Sequence, residues 1–113
     1  MTIKNNEFNH INDYVFDFMG PTKYFHGSGL HISDNKVFNL NSLLFSGIYL
    51  DNVVISDNKV KSVVTQTSNL IRVTKSQDVV ITGNIVPSSA TWDKTVNATK
   101  TDNLILEHNS WNN

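Results

Sequence analysis

Five short segments of one pattern run through the whole chain, and they restrict its fold more than any other feature. They are Thr2-Ile3-Lys4-Asn5-Asn6-Glu7-Phe8, His31-Ile32-Ser33-Asp34-Asn35-Lys36-Val37, Val54-Ile55-Ser56-Asp57-Asn58-Lys59-Val60, Val80-Ile81-Thr82-Gly83-Asn84-Ile85-Val86 and Ile105-Leu106-Glu107-His108-Asn109-Ser110-Trp111. Each has an aliphatic residue, two polar residues, an Asn, one variable residue and an apolar residue. The marker residues Asn6, Asn35, Asn58, Asn84 and Asn109 are spaced by 29, 23, 26 and 25 positions. Repeats of about this length are single supersecondary units that bury their apolar faces only by stacking on one another.

The unit is built of strands. Asn occurs 16 times, Val 12 and Ile nine, whereas Ala occurs twice in 113 residues. β-Branched residues separated by Asn, Asp and Ser describe short strands and turns and exclude a helical bundle. A second strand precedes four of the marked ones: Tyr24-Phe25-His26, Ile48-Tyr49-Leu50, Ile71-Arg72-Val73 and Val96-Asn97-Ala98. Each repeat then reads as strand, turn, marked strand, Asn turn, strand and variable loop. The expectation is an all-β, right-handed parallel β-helix of about five coils in one domain over residues 1–113. Asn suits the turn because it tolerates a left-handed backbone. Stacked at about 4.8 Å between coils, successive Asn amides also form a hydrogen-bonded ladder.

Alternation assigns the interior. Leu30/Ile32, Val53/Ile55, Val79/Ile81 and Leu104/Leu106 point inward from the marked strand, and Phe8, Val37, Val60, Val86 and Trp111 follow the turn. Ile48/Leu50, Ile71/Val73 and Val96/Ala98 complete the core from the preceding strand. The outward column of the marked strand reads Thr2, His31, Val54, Val80, Ile105, where polar residues are expected. Three stacked aliphatics need cover. Either another chain packs on Val54, Val80 and Ile105, or the segment Asn9–Thr22 with Tyr14, Phe16, Phe18 and Met19 folds over them. The marked pattern starts at residue 2 and stops at Trp111, so the sequence reads as a stretch of a longer β-helix or as one held by association.

Charge and cysteine content exclude several functions. Ten acidic and nine basic residues leave a net charge of −1, with Arg72 the only arginine, so nothing favours a nucleic-acid partner. There is no Cys for a disulfide or thiolate site. No apolar run approaches the ~20 residues of a membrane span, so no membrane insertion is expected.

Through these coils the chain resembles the pectate-lyase-like β-helix superfamily, and within it the β-helical part of bacteriophage tailspikes and related appendage proteins. The resemblance implies a homotrimer in a virion tail, outside the host cell, binding and in many members cleaving bacterial surface polysaccharide. Val54, Val80 and Ile105 would then be the trimer contact.

The residues favour binding over cleavage. Hydrolysis needs two carboxyls facing one bond. Asp34 and Asp57 repeat in one turn position, each followed by a lysine, which is also how a solvated turn is built. Lyases of the superfamily use clustered acids to hold Ca²⁺ beside a base, and no acidic cluster joins Arg72. The four His fall in different columns, so no metal site or cofactor is expected. The insertion after Pro87 carries Trp92 and Asp93, an indole for ring stacking beside a carboxylate for hydroxyl groups. With Tyr49, Arg72 and Asn97 these form the candidate carbohydrate site. The expected function is host-surface carbohydrate recognition. The alternatives are a depolymerase whose acids come from two subunits, and a structural segment that trimerises or caps a longer spike.

Overall fold

The computed structural model describes residues 1–12, 14–20, 27–64, 70–87 and 96–112, and every described element is a β-strand. The first coil carries β1 (Thr2–Lys4), β2 (Glu7–Asn9) and β3 (Phe16–Met19). The second carries β4 (Gly27–Ser33), β5 (Lys36–Phe38) and β6 (Phe45–Ile48). In the third are β7 (Leu50–Ser56), β8 (Lys59–Val60) and β9 (Ile71–Thr74). In the fourth are β10 (Gln77–Thr82), β11 (Ile85–Pro87) and β12 (Val96–Thr99), followed by β13 (Asp102–Glu107) and β14 (Ser110–Asn112).

Every third strand pairs in parallel, so the chain winds through three sheets in turn. The first stacks β1-β4-β7-β10-β13, the second β2-β5-β8-β11-β14 and the third β3-β6-β9-β12. The fold is a parallel β-solenoid, as the repeat demands. Among the described strands, the coils begun by β4 and β7 are stacked on both sides throughout and the coil begun by β10 in its first two strands, about three full turns where the repeat count suggests about five. The Asn mark counts passages through one corner, and a passage is less than a closed coil.

That corner is held by the amide ladder. Asn6 Nδ2 donates to Asn35 Oδ1 at 3.1 Å, Asn35 to Asn58 at 2.9 Å, Asn58 to Asn84 at 3.0 Å and Asn84 to Asn109 at 3.1 Å. Each acceptor oxygen also takes the backbone N–H of the preceding Asn, at 2.9–3.1 Å. The second amide hydrogen goes back to a carbonyl of the preceding coil: Asn35 to Ile3, Asn58 to Ile32, Asn84 to Ile55 and Asn109 to Ile81. Asn35, Asn58 and Asn84 are buried, and this network satisfies their amides there. The left-handed residue is not the marked Asn but the one before it: Asn5, Asp34, Asp57, Gly83 and His108 have φ between 55° and 69° (Asn5 61°). Turning the corner one residue early points the Asn side chain into the stack.

The predicted interior is filled as expected in the doubly covered coils, where Ile32, Val37, Val53, Ile55, Val60, Ile71, Val73, Val79, Ile81 and Val86 are fully buried. Leu106 and Ala98 are exposed and Leu104 is half-buried, because β13 and β12 are covered by a neighbouring strand on one side. The third sheet departs from the expected register. Phe45-Ser46-Gly47, not Ile48-Tyr49-Leu50, pairs with Ile71-Arg72-Val73. Gly47 leaves space that the Phe45 ring and Leu50 occupy, so one bulky residue does the filling that alternation would assign to two. The segment proposed as a flap instead supplies β3, with Phe16 in the core and Phe18 stacked 6.0 Å from Phe45. Its strand lies in the third sheet and does not cover the Val54, Val80, Ile105 column on the first. Tyr24-Phe25-His26 lies outside the described residues.

Two variants test the ladder by urea denaturation. Asn58→Ala removes the acceptor of two Asn35 donors and should cost about 2–4 kcal/mol. Asn58→Asp keeps that acceptor but has no proton for Asn84 Oδ1 or the Ile32 carbonyl. Burial raises the introduced carboxyl's pKa, so the folded state holds the extra proton and stability falls as pH rises. The Asp variant is therefore expected to be more stable at pH 5 than at pH 8.

Candidate functional site

Parallel register turns each outward strand position into a column of side chains running along the axis. On the third sheet one such column is Asp17, Ser46, Arg72, Asn97. The Arg72 guanidinium is held in place: its Nη2 donates to the Tyr14 hydroxyl at 3.0 Å and to Ser46 Oγ at 3.4 Å. Its central carbon lies 5.5 Å from the Tyr14 ring centroid, a cation–π contact. Asn97 follows Arg72 on the next strand and is exposed. A fixed guanidinium with donors that no described residue takes up, beside an amide and a phenol, makes a shallow polar face suited to hydroxyl-rich ligands.

Tyr49 does not stand next to Arg72, as the sequence register suggested; Ser46 takes that place. Tyr49 is instead a left-handed corner residue with φ 57°, aligned with Gly20, Lys75 and Lys100 through the bonds from Gly20 N to Ile48 O, Tyr49 N to Thr74 O and Lys75 N to Thr99 O. The Lys75 ammonium lies 5.6 Å from its ring centroid. Arg72 and Asn97 are therefore brought together, and Tyr49 borders the same sheet at its downstream corner. Trp92 and Asp93 lie outside the described residues. Ser46 was missed, and the meeting of Tyr14 with Arg72, 58 positions away, carries no readable signal in the sequence.

On the first sheet, Thr2, His31, Val54, Val80 and Ile105 are in direct register, as the alternation predicted. Val54 and Val80 are half-buried, and Ile105 is 41% exposed. Beside the aliphatics runs a left-handed corner of Asn52, Asp78 and Asn103, in which Asn103 Nδ2 donates to Asp78 Oδ1 at 2.6 Å. Together the six residues Asn52, Val54, Asp78, Val80, Asn103 and Ile105 line a shallow depression of about 310 Å³.

A third surface follows the marked corner. Asp34 and Asp57 occupy one position in adjacent coils, their amides donating to Ser56 O at 3.2 Å and Thr82 O at 3.0 Å. They line a groove of about 430 Å³ with Asn5, Asn35, Lys36, Lys59, Gly83 and Ile85. A side chain on Gly83 would collide with the Asp57 carboxylate, so glycine keeps this floor open. Lys36 and Lys59 are in register on β5 and β8, and Lys61 follows just beyond. The Lys61 amine is held below the usual lysine range by its hydrogen bond with Lys59, then by partial desolvation and by the charges of Lys59 and Lys36. Among the described residues no three His, Asp or Glu side chains converge as a metal site.

No family model, curated protein or solved structure matches this chain.

The lysine contact has a direct spectroscopic test. In a ¹³C-detected lysine titration, Lys61 should lose its proton at lower pH than in Lys59→Gln, where the value returns toward that of ordinary lysine. The folded state disfavours the Lys61 proton, so this group's contribution to stability grows as pH rises through its lowered pKa toward the unfolded value. The contribution is small, because the group is exposed to solvent screening.

Proposed function

We propose that this chain recognises bacterial surface polysaccharide as part of a phage tailspike or tail fibre. The observation that carries the reading is Arg72, fixed by Tyr14 and Ser46 with Asn97 beside it on an open strand face. Such a face meets sugar hydroxyls with preset donors. Shallow sites of this kind bind weakly one at a time. In the proposed homotrimer, packed through Val54, Val80 and Ile105, three copies on one particle raise the avidity.

On this reading the protein works in the virion tail, outside the host cell. A second reading, cleavage, draws on Asp34 and Asp57 one coil apart at the same corner. It predicts new reducing ends from host polysaccharide, whereas binding alone releases none.

Arg72 is exposed, so Arg72→Ala should leave the fold and native mass unchanged. Losing a charged donor pair is expected to weaken binding to host polysaccharide about 10-fold or more, read by calorimetry. Unchanged affinity in a folded variant would overturn the assignment of this face.

A further inference from the structure

The groove at the marked corner has a charge arrangement that the Arg72 face does not use. Lys36 and Lys59 are fixed in one column by strand pairing, with ladder spacing of about 4.8 Å, and cannot separate without breaking β5 from β8. Lys61 follows Lys59 by two positions, its amide donating to Val37 O at 2.7 Å, and so continues the same strand face beyond the groove. Among the described residues no carboxylate forms an ion pair with Lys36 or Lys59, although Glu7 precedes Lys36 in the same column. Like charges stacked across strands are unfavourable.

One step across the groove stands a second row of opposite character. Asp34 and Asp57 are exposed at the left-handed corner, two residues before Lys36 and Lys59, and Asn5 continues their row. The groove therefore offers a line of ammonium groups beside a line of hydroxyl acceptors, both repeating along the axis and open at the surface. A polynucleotide fits poorly, since its phosphates would meet Asp34 and Asp57 and the lining contains no arginine or aromatic ring. A polymer with an acid group on one edge and hydroxyls on the other fits both rows.

We propose that Lys36, Lys59 and Lys61, with Asp34 and Asp57, form a second subsite that binds the acid groups of an anionic polysaccharide. This rests on the carbohydrate reading and narrows its ligand class. The lysines neutralise the acid groups, and the aspartates accept hydrogen bonds from hydroxyls of the same or adjoining sugar rings.

The test is a titration of the isotope-labelled full chain with a tetrasaccharide of glucuronic acid and with its neutral methyl ester, at low ionic strength. The expected result is amide shifts at Asp34, Lys36, Asp57, Lys59 and Lys61 with the acid, and affinity at least 10-fold weaker for the ester. The double variant Lys36→Gln/Lys59→Gln should lose the acid's advantage while retaining the wild-type spectrum elsewhere. Equal affinity for acid and ester, or shifts confined to the third sheet, would overturn the subsite; in that event an effect of Arg72→Ala still supports the carbohydrate reading. Sodium sulfate reproducing the full shifts at equal concentration would also overturn it, by reducing the groove to a charge trap. Groove shifts with the acid, but no effect of Arg72→Ala on host polysaccharide, would uphold the subsite and remove the Arg72 face.

Discussion

The asparagine ladder is the constraint on which the rest of the molecule depends. A stack of short strands has no covalent reason to keep coils of unequal length in register, and the intervals between marked residues vary from 23 to 29. The buried amides remove that freedom. Each accepts two hydrogen bonds from the coil before it and returns one to a carbonyl there, so a slipped coil would leave polar groups buried and unpaired. Length variation is pushed into the loops of the other corners.

Fixed register has a surface consequence. Every outward position becomes a column with the strand spacing, so the described faces of the solenoid present linear arrays. Three such arrays carry chemistry: the aliphatic column of Val54, Val80 and Ile105, the Arg72 column with Tyr14, and the paired rows of aspartate and lysine at the marked corner. Arrays with a backbone period suit polymeric partners better than small molecules. The like charges of Lys36, Lys59 and Lys61 are a cost that the core, with its stacked Val and Ile, easily carries.

The first two sheets were legible in the sequence because their strands obey a period of two next to a marked turn. The ladder, the buried pairs and the Thr2, His31, Val54, Val80, Ile105 column all followed from that pattern. In the third sheet Ile71-Arg72-Val73 and Val96-Asn97-Ala98 pair as expected, but the two strands before them were not legible, for local reasons. Phe45-Ser46-Gly47 looks like a turn, yet Gly47 is there to admit the Phe45 ring, and Phe16–Met19 sits in what reads as a long loop. Misplacing that strand put Tyr49 beside Arg72 in place of Ser46. The left-handed residue at each marked corner was assigned one position late, because Asn tolerates that conformation and Asp34, Asp57 and His108 looked like ordinary polar turn residues. Tyr14 and Lys61 act through contacts that only the folded chain creates.

Side-chain amide hydrogen exchange tests the central claim most directly. If the ladder sets the register, the Nδ2 hydrogens of Asn35, Asn58 and Asn84 should exchange as slowly as the backbone amides of Ile55 and Ile81, opening only when coils separate. Exchange of those hydrogens at the rate of the exposed Asn97 amide, with the strands still protected, would show that the coils are held in register without the ladder.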